Sequence, residues 1–118
     1  MYEKEYKFIE KSLKNLLLQD ALQLVCEYLQ RNITGYDWVG FYFHDNNNHL
    51  ILKSYYGLKT EHTKIPFGKG ICGQTAESNK HTIVDDVKKE DNYISCNINV
   101  KSEIVVPLFV NNKNIGQI

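Results

Sequence analysis

Two cysteines and one glutamate lie in a single stretch of the chain, Ile65–Pro107, and their residue types could support redox chemistry. Cys72 directly follows a Gly-Lys-Gly-Ile segment at the predicted start of a helix, where backbone N–H groups and the helix dipole stabilise a thiolate. Cys96 lies in a polar loop, and no apolar periodicity around it predicts burial. Glu103 enters an apolar strand. Disulfide-forming chemistry requires two thiols, because one attacks and the other resolves the product.

A structural role for the cysteines is also open on spacing alone. The chain has no CxxC motif, so Cys72 and Cys96 could both be unpaired structural cysteines. Cys26 falls on the apolar face of a predicted helix, and we expect a buried structural thiol there because free cysteine behaves as a small hydrophobe. The odd total of three cysteines argues against a fully paired secreted framework.

Metal and phosphate sites are both disfavoured by spacing. The nominal metal ligands match no compact zinc pattern; they are His62, Cys72, His81 and Cys96. The Gly-Lys-Gly of residues 68–70 lacks the longer glycine spacing and the following Lys-Ser/Thr of a P-loop. We therefore expect no metal and no cofactor, and we interpret these glycines as turn residues.

Length and composition limit the classes of function. The chain has 118 residues, a formal net charge of zero and 42% hydrophobic residues, which predict one soluble globular domain. Without a basic excess, we expect no nucleic-acid partner and no anionic membrane surface. No apolar run is long enough to span a bilayer, and the first residues lack the apolar block of a signal peptide. The expected compartment is the cytoplasm.

Hydrophobic periodicity predicts an α+β domain with an antiparallel sheet. Residues 4–32 read as helix with a join at Gln19-Asp20, where Asp20 could cap a second helix. Gly57–Phe67 reads as a loop or irregular edge, Val87–Lys89 as a helical turn and 91–100 as an irregular connection. The predicted short helix spans Ile71–Glu77, and the predicted strands are 38–44, 49–56, 82–84, 102–110 and 115–118.

Alternation along the first strand separates two faces. Trp38, Gly40, Tyr42 and His44 share one face, and Val39, Phe41 and Phe43 share the other. One face must pack on the N-terminal helices, which leaves the opposite face for a ligand pocket. Two aromatic residues of that strand, Trp38 and Tyr42, could cage a small ligand or could simply pack as core aromatics.

Three segments resemble the GAF-domain free methionine-(R)-sulfoxide reductases. They are YDWVGFY at residues 36–42, KIPFGKGICG at residues 64–73 and NYISCNINVKSEIVVPLF at residues 92–109, and the resemblance covers about residues 30–118. It implies one GAF-like domain over residues 1–118, with a six-stranded antiparallel sheet, helices behind it and a closed pocket for free methionine sulfoxide.

The resemblance also implies a role for each matching residue. Cys96 would attack the sulfoxide sulfur, release methionine and become a sulfenic acid. Cys72 would then form a disulfide with it, which a thioredoxin-type reductant reopens. Trp38 and Tyr42 match the aromatic residues around the substrate methyl group. Glu103 matches the acidic residue near the sulfoxide and amino group, and a partly buried carboxylic acid can protonate the leaving oxygen.

The chain departs from the family pattern in three respects. His62 stands where many members carry a resolving cysteine, so Cys72 would have to resolve Cys96 directly. Asn97 follows the predicted nucleophile where Asp is usual, and Tyr93 precedes it where His is usual. The family also continues with an acidic segment that binds the substrate ammonium, so we expect a C-terminally incomplete domain whose 118 residues alone could be inactive.

Two other functions stay open at this point. A GAF domain can be a non-catalytic small-molecule-binding or sensory module. The N-terminal amphipathic helices could instead pair with another chain, which makes a structural role and a homodimer possible interpretations of the same sequence.

Overall fold

The computed structural model describes residues 2–14, 16–85 and 102–118, and within them the fold is mixed α+β as predicted. In chain order the elements are α1 (Glu3–Leu13), α2 (Leu18–Asn32), β1 (Val39–His44), β2 (His49–Tyr56), β3 (Lys64–Pro66), α3 (Gly70–Ser78), β4 (Thr82–Val84), β5 (Glu103–Val105), β6 (Pro107–Val110) and β7 (Lys113–Gln117). None of the described helices is long and apolar enough to cross a membrane.

The described strands form one five-stranded sheet, in the order β3-β2-β1-β7-β6, and a separate β4-β5 pair. Every pairing is antiparallel. The strand predicted for residues 102–110 divides at Val106: its first part pairs with β4 and its second with β7. Val106 exchanges two backbone hydrogen bonds with Ile118, so the run stays continuous with the main sheet. The division explains why the main sheet has five described strands where the resemblance implied six.

One face of the sheet packs on α2, in agreement with the predicted alternation. Cys26 of α2 is fully buried against Val39 and Phe41 of β1, and Phe43 packs on the same cluster. Burial raises the pKa of the Cys26 thiol to about 12, so this side chain stays protonated and unreactive. The prediction of a buried structural cysteine is confirmed by its position.

The opposite face of the sheet packs on α3. Ala76 of α3 contacts a cluster of Tyr42, Leu50 and Ile65, contributed by β1, β2 and β3. Gly73 allows this close approach, because a Cβ at that position would lie 2.6 Å from the backbone oxygen of Pro66. The helix ends at Asn79, whose positive φ of 61° gives the left-handed cap that asparagine tolerates.

Some predicted boundaries are wrong. The two N-terminal helices separate at residues 14–17, where Lys14 and Leu17 are extended, and Asp20 lies inside the first turn of α2. The stretch predicted as a loop or irregular edge contains β3, a three-residue edge strand that pairs with β2. The last strand, β7, begins at Lys113, two residues before its predicted start. The helical turn predicted at 87–89 and the connection predicted at 91–100 lie outside the described residues.

Candidate active site

Two of the predicted site residues meet between α3 and β5. Cys72 is the third residue of α3, and Glu103 is the first residue of β5. Cys72 Sγ donates a hydrogen bond to Glu103 Oε1 at 3.6 Å, although 31 positions separate the two residues. A thiol and a carboxyl in contact form a pair that can exchange a proton.

The position of Glu103 follows from how the β4-β5 pair is attached to α3. Thr75 of α3 is fully buried, and its hydroxyl hydrogen-bonds Thr82 of β4 at 2.8 Å. Val84 at the other end of β4 pairs with Glu103. The apolar contacts of Ile71 with Val84 and Val105 fix the same geometry. Glu103 therefore faces the first turn of α3.

Burial controls the protonation of Glu103. The loss of solvation raises the pKa of its carboxyl above the ordinary range, and the hydrogen bond from Cys72 lowers it by a smaller amount. The net shift is upward, so the proton is retained to a higher pH than in an exposed glutamate. A carboxyl whose pKa is raised in this way is better suited to general-acid catalysis than an exposed glutamate.

Cys72 lies between two apolar clusters. On one side it packs with the cluster of Tyr42 and Ala76, and on the other with the cluster of Ile71 and Val105. The residue is half-buried. Its thiol therefore sits at the junction of α3, the main sheet and the β4-β5 pair.

Gln117 is a site residue that sequence reasoning missed. Its side chain is 1% exposed, and its Nε2 donates a hydrogen bond to the backbone oxygen of Cys72 at 3.0 Å. Its cross-strand partner in β1 is Tyr42. The sequence carries no signal for its burial, because a polar residue inside a predicted strand usually faces solvent.

Trp38 and Tyr42 lie side by side on the α3 face of the sheet. Their ring centroids are 6.5 Å apart with a 35° tilt, and Trp38 also stacks on Tyr55 at 5.6 Å. The polar atoms of both rings are tied to the loop after β2: Trp38 Nε1 donates to Leu58 O at 3.0 Å, and Tyr42 Oη donates to His62 O at 2.7 Å. The two rings form one aromatic wall with both polar atoms satisfied.

Two glycines make room for the Trp38 ring. The indole lies over Gly40, where any Cβ would overlap the ring. Gly57 has a φ of 134°, a conformation that side chains rarely adopt, and a Cβ there would lie 2.8 Å from Trp38 Cδ1. The orientation of the indole is therefore set by the backbone of β1 and of the residue that follows β2.

The predicted nucleophile, Cys96, lies outside the described residues, together with Tyr93 and Asn97. The structure therefore describes three of the four nominal metal ligands, His62, Cys72 and His81. Across residues 2–14, 16–85 and 102–118, no group of three His, Cys, Asp or Glu side chains is arranged to hold a metal ion.

Two surface clefts lie away from the predicted residues. One, of about 460 Å³, lies at the far end of α3 and is lined by His44, Phe67, Ala76, Glu77, Asn79 and residues 112–114. The other, of about 430 Å³, lies between α1 and α2. Neither contains the Cys72–Glu103 contact. We favour the contact as the candidate site, because it combines a nucleophilic group, an acid and an aromatic wall.

Comparison with known proteins was made on sequence and on structure. The family model of the GAF domain matches residues 15–118. Protein YtsP of Bacillus subtilis (strain 168) is 31% identical over 121 residues, covering 97% of this chain and 73% of the relative. The free methionine-R-sulfoxide reductase of Saccharomyces cerevisiae is 38% identical over 104 residues, covering 86% of this chain and 57% of the relative.

A solved structure gives the same result. The free methionine-R-sulfoxide reductase of Neisseria meningitidis, in complex with its substrate, superposes with a TM-score of 0.85 at 34% identity, covering 92% of this chain and 65% of that one. This chain therefore spans somewhat over half the length of the yeast reductase and just under two thirds of the meningococcal one. The matches confirm the resemblance seen in the motifs, and the chain belongs to the GAF domain family.

Proposed function

We propose that this domain carries out the thiol-dependent reduction of free methionine-(R)-sulfoxide to methionine. The observation that carries the proposal is the Cys72–Glu103 contact at 3.6 Å, on the sheet face that holds Trp38 and Tyr42. Similarity to reductases of this name in yeast and Neisseria meningitidis supports the same substrate.

The first chemical step is assigned to Cys96 and Glu103. The Cys96 thiolate attacks the sulfoxide sulfur, and Glu103 gives its proton to the sulfoxide oxygen. The attack forms a bond between the Cys96 sulfur and the substrate sulfur. The hydroxyl then moves to Cys96 as the substrate S–O bond and the new S–S bond break, which leaves Cys96 as a sulfenic acid and methionine with its sulfur reduced by two electrons. The raised pKa of Glu103 supports this role, because the carboxyl must hold a proton before the step begins.

In the second step Glu103 acts as a base, whereas in the first step it acts as an acid. Glu103 is now ionised and in contact with the Cys72 thiol, so it can accept the thiol proton as Cys72 attacks the sulfenic sulfur. The proton passes to the departing oxygen, which leaves as water, and a Cys72–Cys96 disulfide forms. A thioredoxin-type dithiol then reduces the disulfide, and its two protons restore the Cys72 thiol and neutral Glu103 while Cys96 is left as thiolate.

Trp38 and Tyr42 are assigned to the apolar end of the substrate. Their rings offer a wall for the methyl group and sulfur, and sulfur–aromatic contacts are favourable. Because both ring polar atoms are bonded to the loop after β2, the wall is already rigid before a ligand binds.

A homodimer and a cytoplasmic location belong to the same proposal. The exposed aromatic side chains of α1 support the dimer: none of this helix's described residues is buried, and Tyr6 and Phe8 are 67% and 49% exposed. Sedimentation equilibrium of the protein and of Tyr6→Lys tests this, since the substitution should shift the mass toward the monomer.

The direct test is methionine release from free methionine-(R)-sulfoxide with dithiothreitol as the reductant. Cys96→Ser should abolish turnover, and Cys26→Ala, the matched cysteine control, should retain it. Full turnover by Cys96→Ser would contradict the assignment of the nucleophile. If the unmodified chain binds methionine sulfoxide without releasing methionine, the non-catalytic GAF binding module describes these 118 residues better than the reductase.

A further inference from the structure

The two polar atoms of the Gln117 side chain differ in their hydrogen bonding. Nε2 donates to the Cys72 backbone oxygen at 3.0 Å, and a carbonyl oxygen can only accept, so the orientation of the amide is fixed. This leaves Oε1 on the other side. That atom is buried and has no hydrogen-bond partner in the described part of the chain.

The Gln117 amide contributes little to the free energy of folding. A single neutral hydrogen bond makes a modest net contribution to folding, and a buried acceptor without a partner costs a comparable or larger amount. An apolar side chain of the same shape would avoid the unpaired oxygen. The contact with Cys72 is therefore better explained by what it does to Cys72 than by what it adds to the fold.

The contact links α3, which carries the thiol, to β7, which pairs with the strand that follows Glu103. Gln117 in β7 pairs with Pro107 at the start of β6, which follows β5 and Glu103 along the chain. Its amide reaches across to the first turn of α3, where Cys72 Sγ meets Glu103 Oε1. In an α-helix the Cys72 carbonyl also accepts its usual i+4 partner, so Gln117 uses the second lone pair without breaking the helix.

We propose that Gln117 is a positioning residue, which holds the Cys72 backbone at the distance from the sheet that keeps its thiol in contact with Glu103. The contact itself is a structural claim. Its use in disulfide formation rests on the function proposed above. Gln117 touches neither the thiol nor the carboxyl through a hydrogen bond of its own, so it acts through the Cys72 main chain.

The infrared S–H stretch tests the structural claim independently of turnover. In the full chain carrying Cys26→Ala and Cys96→Ser, Cys72 is the one remaining cysteine, and its S–H band reports the hydrogen bond. Glu103→Ala gives the frequency of the thiol without its acceptor. Gln117→Met should move the band to that position, and Gln117→Leu, which provides a second apolar replacement, should do the same.

A matched control distinguishes a specific effect on Cys72 from a general weakening of the packing between β7 and α3. Asn114 is another buried amide of β7, bonded to Asn79, and Asn114→Leu should leave the S–H band unchanged. Gln117→Met should melt at or above the temperature of its parent. The proposal is overturned if both Gln117 variants keep the parental band, or if Asn114→Leu moves the band equally.

The consequence for turnover is measured with all three cysteines present. In a single turnover, Gln117→Met should slow disulfide formation at least about tenfold more than it slows methionine release, a difference of about 1.4 kcal/mol in activation free energy. Equal slowing of both steps would contradict a positioning role at Cys72. If the parent releases no methionine, the proposed function fails and the infrared result still decides the contact.

Discussion

Replacing Glu103 with glutamine separates the two contributions of this side chain. The amide keeps the length and shape of the carboxyl, and its Oε1 can still accept the hydrogen bond from Cys72 Sγ, which spans 3.6 Å. The amide cannot give a proton to the leaving oxygen. Glu103→Gln therefore removes general-acid catalysis and leaves the thiol contact in place.

We expect the rate of methionine release to fall by about 10²–10⁴-fold, which is the usual contribution of a positioned general acid. The range corresponds to about 3–5 kcal/mol of lost transition-state stabilisation. Because the protonation occurs only in the transition state, the loss should appear in kcat more than in KM. Single-turnover measurement of methionine by chromatography isolates this step, because methionine is released before the disulfide forms and is reduced.

The same substitution should have the opposite effect on folding. Burial raises the pKa of Glu103 in the folded state, so the unfolded chain ionises first as pH rises through the ordinary value of 4.5. Wild-type stability therefore falls as pH increases from this value to the raised folded pKa. Glutamine does not titrate. Glu103→Gln should gain stability over the parent above this window, and the gain should shrink below pH 4.5.

Urea unfolding of parent and variant at about pH 4 and about pH 8 measures the sign of this effect. Parental methionine release by Glu103→Gln would refute the acid role. A variant whose stability relative to the parent does not increase between the two pH values would refute the burial argument. The two results are independent, so either part of the reasoning can fail alone.

Three other substitutions test the scaffold and the aromatic wall. Gly73→Ala should destabilise the fold by about 1–3 kcal/mol in urea unfolding, because its Cβ would lie 2.6 Å from the Pro66 backbone oxygen; parental stability would show that α3 can shift. Cys26→Ala should cost about 1 kcal/mol and leave single-turnover methionine release unchanged, and lost release would contradict its structural role. Trp38→Leu should raise the KM for methionine sulfoxide roughly threefold to tenfold through lost aromatic contact. An unchanged KM would remove Trp38 from the pocket and leave Tyr42 as the remaining aromatic candidate.

Alternation in β1 could be predicted because a short run rich in aromatic residues is typical of a strand, and successive side chains of a strand point to opposite faces. The prediction placed Val39 and Phe41 on one face and Tyr42 on the other, and this separation is confirmed. Buried Cys26 was predictable for the same reason, since it lies on a helical apolar stripe. Local periodicity is sufficient wherever one face of an element is buried.

Features that depend on distant parts of the chain could not be predicted in this way. The run Leu16–Leu18 continues the apolar pattern across the break between α1 and α2, which hides the extended backbone there. β3 is only three residues long, and its pairing with β2 defines it as a strand. Gln117 resembles a solvent-facing polar residue of a strand, and its burial depends on α3, 45 positions earlier in the chain. The contact between Cys72 and Glu103 was not predicted: the resemblance gave each residue a role, and 31 positions along the chain separate them.

The central claim is that Cys96 and Cys72 are the attacking and resolving thiols of one reaction. The most direct measurement is disulfide mapping by mass spectrometry after the reduced full chain, freed of excess reductant, reacts with one equivalent of free methionine-(R)-sulfoxide. We predict one equivalent of methionine, a Cys72–Cys96 disulfide and Cys26 recovered as a thiol. Methionine release with Cys96 recovered as a thiol, or a disulfide that omits Cys96, would contradict the account.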